Sequence, residues 1–308
     1  MILLTGATGF IGEAVLKQLP AEQVVAFGRT APKQPIAAFH AGEISASTQY
    51  DAALRDVDVV IHTAARVHMM DDKSVDPLED FRQINTLGTL NLAAQAAKAG
   101  VKRFIFISSV KVNGERSDTK AFCHDDRPAP EDAYSQSKAE AEAGLRKLAQ
   151  ETGIEVVIIR PPLVYGPGVK ANFASILKLA RKNLPLPLGA IHNKRSMVAL
   201  DNLIDLIIHC ISHPAAANQI FMVSDNHDLS TTELLIMLTE AAGKKPRLLP
   251  VPQKYLIAFA TLFGKKTIAD RLCGSLQVDI THTRTTLDWT PPLSVEEGIK
   301  RCFTAVTM

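Results

Sequence analysis

The sequence predicts an α/β protein, with a doubly wound parallel sheet and a second, smaller C-terminal domain. Two observations carry this prediction. Short apolar runs alternate with helix-like segments over the first half of the chain, and a glycine-rich turn directly follows the first run. Strands that alternate with helices favour a parallel sheet covered on both faces. The 308 residues, 46% of them hydrophobic, supply enough apolar material for such a core.

Five apolar runs bounded by turn residues are predicted to be strands. They cover residues Ile2–Thr5, Gln23–Phe27, Val57–His62, Arg103–Ser108 and Glu155–Arg160. The intervening helices are predicted at Ile11–Leu19, Leu78–Ala99 and Ala133–Glu151. Gly100 and Gly153 follow the last two helices and fit left-handed C-terminal caps.

The pattern changes after Arg160, where prolines and the turn Gly166–Gly168 interrupt the chain. We predict that the chain leaves the sheet near residue 161 and returns for a helix near Leu200–Ile211 and a strand near Ile220–Val223. The sheet domain then comprises residues 1–160 plus about 192–224, and the smaller domain about 161–191 and 225–308. The smaller domain should contain helices near Leu229–Ala242 and Val295–Thr304.

Charge and cysteine content exclude several kinds of protein. The net charge of +2 gives no reason to expect nucleic acid or a membrane as partner. The four cysteines are scattered without the close spacing of a metal or redox motif. Met1 leads into the first strand without a charged leader, and Tyr255–Phe263 is far shorter than the roughly 20 residues that span a bilayer. We expect a cytoplasmic protein.

The glycine turn indicates a dinucleotide cofactor. Gly6, Gly9 and Gly12 lie between the first strand and a predicted helix, with Thr8, Phe10 and Ile11 in the same turn. Glycines let the backbone approach a pyrophosphate, and the helix start offers N–H groups to it. The spacing is G-x-x-G-x-x-G rather than the G-x-G-x-x-G dinucleotide fingerprint, so position after the first strand is what makes the prediction specific.

The residue that reads the adenosine ribose normally stands near the end of the second strand. An acidic residue there selects NAD, whereas an arginine accommodates the 2′-phosphate of NADP. The stretch Phe27–Thr30 contains Arg29 and no acid. The cofactor is therefore expected to be NADP(H) or NAD(H), with Arg29 favouring NADP(H).

A serine, a tyrosine and a lysine form the candidate catalytic group. Ser108 and Ser109 end the fourth predicted strand, at the sheet edge where ligands bind. Tyr134 and Lys138 are four residues apart on a predicted helix, so they share one face. A neighbouring ammonium should lower the pKa of a phenol from about 10 and let it exchange protons. Tyr134 can then act as general acid or base, and Ser109 can steady the same substrate oxygen.

These features resemble the extended short-chain dehydrogenases, in particular their NAD-dependent epimerase/dehydratase branch, which acts on nucleotide sugars. The resemblance covers nearly the whole chain. It is carried by TGATGFIG (5–12), DVVIHTAA (58–65), NTLGTLN (85–91), SSVKVNG (108–114), YSQSK (134–138), RPPLVYGPG (160–168) and RSMVALDNL (195–203). It implies a Rossmann domain, a substrate domain and a homodimer built on the helices containing Leu87–Ala99 and Ala139–Leu148.

The resemblance also implies roles for individual residues. Ser109, Tyr134 and Lys138 would be the catalytic triad. Further cofactor contacts would come from Thr63, Ala64, Ala65, Asn85, Ser108, Pro161 and Val164. The UDP part of the substrate would meet Asn172, Arg195 and Arg271, whose guanidinium groups suit phosphate. No metal site is expected, although His62 and His68 flank a turn near the crevice.

Two positions narrow the reaction. Dehydratases of this branch carry an Asp-Glu pair where this chain has Val110 and Lys111, and a valine cannot transfer a proton. Lys111 could contact substrate or only solvent. A dehydratase is therefore not expected. The missing acid near the second strand and Arg29 favour a reductase, and several segments look like bacterial 4-reductases of the UDP-N-acetylquinovosamine type. We predict reduction of a UDP-4-keto-6-deoxy-HexNAc for surface polysaccharide synthesis. The alternative is a UDP-glucose or UDP-GlcNAc 4-epimerase with resident NAD. A non-catalytic NADP-sensing protein is a remote third possibility.

Overall fold

A computed structural model describes residues 1–67, 76–117, 119–169 and 171–304 of the chain. His68 therefore lies outside the described residues. The strands are β1 (Ile2–Thr5), β2 (Val24–Gly28), β3 (Ala38–Ala41), β4 (Val59–His62), β5 (Arg103–Ile107), β6 (Glu155–Arg160), β7 (Leu163–Tyr165), β8 (Met197–Ala199) and β9 (Ile220–Met222). Seven of them form a sheet in the order β3-β2-β1-β4-β5-β6-β9, with every neighbouring pair parallel.

Helices cover both faces of this sheet and build the rest of the molecule. They are α1 (Phe10–Leu16), α2 (Pro77–Phe81), α3 (Thr89–Lys98), α4 (Ala133–Thr152), α5 (Ala171–Lys182), α6 (Leu200–Ser212), α7 (Thr231–Ala241), α8 (Gln253–Leu262), α9 (Lys266–Cys273), α10 (Thr281–Leu287) and α11 (Val295–Thr304). None of the helices in the described ranges combines the length and hydropathy that crossing a bilayer requires.

Alternate residues of the strands pack against opposite helical layers. In β1, Leu4 belongs to the core cluster shared with α1 and α6, whereas Leu3 belongs to the cluster shared with α3 and α4. Side chains of a strand alternate between faces, and a parallel sheet covered on both faces needs apolar residues on each. The continuous apolar runs of the sequence follow from this arrangement, and the predicted doubly wound α/β fold is confirmed.

Two features of the first half were not predicted. The edge strand β3 is short and only partly buried, so its sequence lacks a strong apolar run. The single helix expected over residues 78–99 is divided into α2, a π-helical segment Arg82–Gly88 and α3. Gly88 lies close to Ile44, and a Cβ there would come 2.7 Å from the Cγ2 atom of Ile44. The π-helical segment therefore includes a close contact between Gly88 and Ile44, which local sequence does not predict.

A second apolar core lies outside the main sheet. The strands β7 and β8 pair in parallel as a separate two-stranded sheet. Tyr165 and Phe173 stack there, with ring centroids 5.4 Å apart, and side chains of α7 and α11 complete the cluster. The strand expected near 220–223 joins the edge of the main sheet as β9, beside β6.

Candidate active site

The glycine turn between β1 and α1 is tightly folded. Gly6 has a φ of +74°, and the amide of Gly9 donates to the carbonyl oxygen of Gly6 at 2.8 Å. A Cβ on Gly12 would lie 2.1 Å from that same oxygen, so no side chain fits at this position. Gly6 and Gly12 are therefore required by the close approach of strand, turn and helix.

The tip of this turn is open to a ligand. Thr8 and Gly9 are exposed, and Phe10 and Ile11 are half-buried at the start of α1. The turn lies at the carboxyl end of β1, between strands that continue the sheet in opposite directions through β2 and β4. Dinucleotides bind at this kind of switch point. The described residues thus fit the diphosphate of a nicotinamide dinucleotide.

The segment after β4 borders the same opening. Thr63 donates its hydroxyl to the carbonyl oxygen of Thr5 at 2.7 Å, and Thr63, Ala64 and Ala65 are all half-buried. A Cβ on Gly6 would lie 2.6 Å from the Oγ1 atom of Thr63 and 2.7 Å from the amide nitrogen of Ala64. The predicted pyrophosphate-side residues of the two turns therefore lie against each other.

His62 is a buried connector between three elements. Its Nδ1 lies 2.6 Å from the hydroxyl oxygen of Thr5, and its Nε2 lies 2.9 Å from that of Thr89. Burial, together with the nearby charge of Lys138, lowers the pKa of His62 to about 3. With both ring nitrogens engaged, the neutral imidazole joins β1, β4 and α3 and has a structural role.

Ser109 is held at the start of a short 3₁₀ turn, Val110–Val112, directly after β5. Its hydroxyl oxygen accepts from the amide of Lys111 at 3.2 Å, and the side chain is half-buried. Lys111, for which the sequence left substrate and solvent as alternatives, donates from its ammonium to Glu115 and Asp132, each at 2.7 Å. Val110 is buried in a small apolar cluster.

The Lys111–Asp132 pair connects the Ser109 turn to the beginning of α4. Asp132 is the N-cap of α4, accepts from the amide of Ser135 at 2.7 Å and completes a capping box with that serine. Tyr134 lies in the first turn of this helix, half-buried, with its ring 6.0 Å from that of Phe81. The pair therefore fixes the position of Tyr134 relative to Ser109.

Lys138 lies one turn beyond Tyr134 and is almost fully buried. Its ammonium donates to the carbonyl oxygen of Ile107 at 2.9 Å and lies 4.4 Å from the ring centroid of Phe106. Burial lowers the pKa of Lys138 to about 7, although the carboxylate of Glu142 opposes the shift. The lysine thus reaches the end of β5, two residues before Ser109.

The structure does not show the lowered tyrosine pKa that the Tyr134–Lys138 spacing predicts. Burial, followed by the negative charge of Asp132, raises the pKa of Tyr134 to about 12. The ammonium of Lys138 is directed toward Ile107 rather than toward the phenol, and its own proton affinity is reduced. A charge on the phenolate therefore has no close partner among the described residues.

Asn85 ties the cofactor crevice to α4. Its amide nitrogen donates to the carbonyl oxygen of Arg66 at 3.0 Å and to the hydroxyl of Ser137 at 3.1 Å, and its Oδ1 accepts from the amide of Arg66 at 2.8 Å. The side chain is fully buried within the π-helical segment. It positions the segment that follows β4, which is consistent with a place below the cofactor.

A buried ion pair behind the site was not predicted. Glu142 accepts from the hydroxyl of Ser108 at 2.5 Å and from the guanidinium of Arg160, whose Nη1 also donates to Asn113 at 3.0 Å. The hydroxyl of Ser108 therefore points into this network and not into the open crevice. The sequence did contain a signal, because Glu142 lies four residues after Lys138 and shares its buried helix face.

The remaining predicted cofactor contacts are Pro161, Val164 and Arg29, which lie in or directly after three different strands. Pro161 is buried and accepts at its carbonyl oxygen from the amide of Val110 at 3.0 Å. Val164 is half-buried in β7, and Arg29 is exposed directly after β2. Arg29 is thus free of the core and available to a ligand beyond the second strand.

Two of the three predicted UDP contacts lie together. A guanidinium nitrogen of Arg195, Nη1, donates to the carbonyl oxygen of Arg271 at 2.9 Å and to that of Gly274 at 3.2 Å. Arg271 itself is exposed in α9. Asn172 lies in the first turn of α5, and its side chain is outside the described part of the structure.

The sequence profile of the NAD dependent epimerase/dehydratase family matches residues 2–224. The chain belongs to this family. Membership makes it an NAD-dependent enzyme, and the predicted resemblance and nicotinamide cofactor are confirmed at that level. The glycine turn, the Ser109 turn and the Tyr134–Lys138 helix all fall within the matched residues.

Similar proteins include other members of this epimerase/dehydratase family. The chain is 52% identical over 306 residues to a UDP-glucose 4-epimerase of Vibrio cholerae, covering 97% of this chain and 93% of the relative. The structure resembles a UDP-glucose 4-epimerase of Thermotoga maritima solved with UDP-glucose (TM-score 0.76, 23% identity, 98% and 96% of the two chains). It also resembles a UDP-glucuronic acid 4-epimerase of Bacillus cereus in complex with NAD (TM-score 0.75, 22% identity, 97% and 96%). The 52% identity to the Vibrio cholerae relative favours the epimerase alternative over the reductase interpretation, and the two solved structures support the fold.

Proposed function

We propose that the chain is a UDP-hexose 4-epimerase acting on UDP-glucose. The observation that carries this proposal is the 52% identity, over nearly the full length of both chains, to the UDP-glucose 4-epimerase of Vibrio cholerae. The arrangement of Ser109, Tyr134 and Lys138 at the carboxyl end of β5 supports it. The reductase interpretation becomes the second candidate.

Tyr134 exchanges the proton of the 4-hydroxyl in this mechanism. Reversible hydride acceptance at C4, with return to the opposite face of the ketone, is the chemistry that NAD would supply when bound. Tyr134 would take up the 4-hydroxyl proton as the phenolate when the C4–H bond breaks and would return that proton when the bond re-forms. The half-buried phenol suits proton exchange with a bound sugar better than with bulk solvent.

Lys138 and Ser109 support this proton exchange. Burial and the charge of Asp132 raise the pKa of Tyr134 to about 12, so the phenol alone holds its proton too tightly to act as a base. An opposite charge close to a phenolate lowers its pKa. We infer that Lys138 turns from the Ile107 carbonyl oxygen toward the phenol and the nicotinamide ribose when the site fills. The Ser109 hydroxyl donates a hydrogen bond to the substrate C4 oxygen and orients it.

The second apolar core carries the nucleotide part of the substrate in this proposal. We assign residues 1–160 plus about 192–224 to the cofactor domain, and about 161–191 plus 225–308 to the substrate domain. Arg195 and Arg271 are adjacent, since the guanidinium of one donates to the carbonyl oxygen of the other. Their positive charges suit the diphosphate of UDP. Asn172 is retained as a third contact.

The decisive experiment is incubation of the purified chain with UDP-glucose and no added cofactor. The epimerase proposal expects UDP-galactose to form and expects NAD to be released when the protein is denatured. No conversion with or without added NAD would contradict the proposal. Parallel incubations with UDP-N-acetylglucosamine would define the C2 substituent that the site accepts.

The second candidate is the NAD(P)H-dependent reduction of a UDP-4-keto-6-deoxy-HexNAc. It is favoured by one observation, the exposed Arg29 beyond β2 in a stretch without an acidic residue. Consumption of NADPH on addition of the 4-keto substrate, combined with no epimerisation of UDP-glucose, would establish this candidate. The Arg29→Asp variant should then lose its preference for NADPH over NADH, because a carboxylate repels the 2′-phosphate.

The oligomeric state is a separate proposal. We expect a homodimer formed by the helices containing Leu87–Ala99 and Ala139–Leu148. Leu87 is 40% exposed on this side, which leaves an apolar side chain for a partner to cover. Light scattering of the purified chain at several concentrations tests this, and a constant monomer mass would contradict it.

A further inference from the structure

An exposed aromatic stripe runs along α8, far along the chain from the catalytic residues. Tyr255, Phe259 and Leu262 stand at the spacing of one helix face, and Phe263 continues it directly after the helix. These four side chains are 59%, 65%, 80% and 60% exposed. A contiguous exposed apolar patch of this kind is typical of a surface that binds a membrane or another molecule.

A groove beside the stripe adds further apolar surface. It encloses about 350 Å³ between α8 and α9 and is lined by Leu188, Leu256, Ala260, Phe263, Ala269 and Leu272. Phe259 and Phe263 lie with ring centroids 4.6 Å apart at its edge. The helix pair therefore presents a stripe and a groove that open together.

The segment that carries the stripe is also strongly basic. Residues 244–273 contain seven lysines and arginines but only one acidic residue, so they carry a net charge of +6. The whole chain carries +2, so the other residues together carry −4. All seven basic side chains are exposed. They are Lys244, Lys245, Arg247, Lys254, Lys265, Lys266 and Arg271.

We propose that α8, α9 and the preceding basic loop form a peripheral binding surface for an anionic lipid bilayer. Lysines stand at both ends of the aromatic stripe, with Lys254 before it and Lys265 and Lys266 after it. An interfacial helix inserts aromatic and aliphatic side chains among the acyl chains while basic groups meet lipid phosphates. The charge complementarity selects a negatively charged bilayer over a neutral protein surface.

This proposal goes beyond the epimerase function and does not depend on it. It differs from the expectation of no membrane partner, which rested on the net charge of the whole chain and not on its local distribution. The surface is joined to the predicted substrate arginines through α9, because Arg195 donates to the carbonyl oxygen of Arg271. A bilayer bound to α8 would therefore contact the proposed substrate domain itself, to which α8 belongs.

Vesicle flotation with the full chain tests the proposal. We expect the protein to float with vesicles containing phosphatidylglycerol, to stay behind with pure phosphatidylcholine, and to lose binding as salt is raised. Phe259→Ser/Phe263→Ser should lower the floated fraction about tenfold or more, since two phenylalanines no longer enter the lipid. Thermal unfolding of each variant checks the fold without any activity assay.

Two double variants with the same change in net charge distinguish the local charge of the proposed surface from the net charge of the whole chain. Lys265→Glu/Lys266→Glu should abolish flotation, whereas Lys17→Glu/Lys300→Glu changes the net charge equally at exposed sites elsewhere and should leave it intact. Equal loss in both double variants would overturn the local assignment. Failure of the wild-type protein to float at any lipid composition would overturn the proposal. The proposal would also be overturned if the wild-type protein is a dimer that does not bind lipid and Phe259→Ser/Phe263→Ser converts it to a monomer.

Discussion

Glu142 and Arg160 form an ion pair in the interior, with 2.5 Å between a carboxylate oxygen and a guanidinium nitrogen and side chains only 4% and 2% exposed. Glu142 lies one helical turn after Lys138, and Arg160 ends β6. The carboxylate also accepts from Ser108, the neighbour of Ser109. This pair therefore holds the helix of Tyr134 and Lys138 against the strand ends that carry the catalytic serine.

Breaking this pair should be costly. Glu142→Gln leaves the guanidinium of Arg160 buried without its counter-charge, so the free energy of unfolding should fall by about 3–5 kcal/mol. The matched control is Asp201→Asn, which removes the exposed 2.6 Å pair with Arg301 and should cost about 1 kcal/mol or less. Urea unfolding of both variants measures the difference. Equal losses in the free energy of unfolding would contradict the claim that the buried pair stabilises the fold more than the exposed pair does.

Replacing the catalytic phenol should abolish proton exchange and little else. Tyr134→Phe is expected to lower kcat by about 10²–10⁴-fold, because the ring remains and only the proton-carrying oxygen is lost. Bound NAD, measured after denaturation, should stay at the wild-type amount. Tyr255→Phe removes an exposed hydroxyl far along the chain and should leave kcat unchanged. A Tyr134→Phe enzyme with near-normal kcat would refute the assignment.

His62 should make the fold sensitive to acid. Its pKa is about 3 in the folded chain and about 6.5 when unfolded, so the unfolded chain binds the extra proton as pH falls below 6.5. The contribution of His62 to the free energy of unfolding is fully present above pH 6.5. It falls by about 1.4 kcal/mol for each pH unit as the pH decreases from 6.5 toward 3. His62→Gln should be less stable at pH 8 but should show a shallower decline between pH 6.5 and 4. Parallel declines in urea unfolding would contradict this linkage.

The glycine turn offers a test of the cofactor site. Gly12→Ala places a methyl group where a Cβ meets the Gly6 carbonyl oxygen at 2.1 Å, so the turn must shift and NAD binding should be lost. Gly100→Ala is the control, since its φ of +82° also strains an alanine but no atom lies within 4 Å. It should cost about 1 kcal/mol of stability and leave bound NAD unchanged.

Arg195 should act on substrate binding rather than on the reaction step. Arg195→Gln is expected to raise KM for the UDP-sugar by about tenfold or more with a smaller change in kcat, since a charged contact to the diphosphate is lost. Arg55→Gln removes an exposed arginine between β3 and β4 and serves as control. A lowered kcat at unchanged KM would contradict the assignment.

Local sequence determined the order of elements and much of the candidate site. The apolar runs, the glycines at 6, 9 and 12 and the Tyr134–Lys138 spacing each express a short-range requirement, since strand burial, turn geometry and helix periodicity depend on nearby residues. These features predicted the doubly wound sheet. They missed β3 because an edge strand, half-buried, does not need a continuous apolar run.

Only the tertiary structure decided how distant polar groups are paired. Lys111 pairs with Asp132, 21 residues later in the chain, and only the fold brings these two side chains together. The Glu142–Arg160 pair and the aromatic stripe of α8 became visible in the same way. Burial and charge pairing depend on contacts between residues that are distant in the chain. For this reason the pKa of Tyr134 lies above its usual value, although its spacing to Lys138 predicted a lowered pKa.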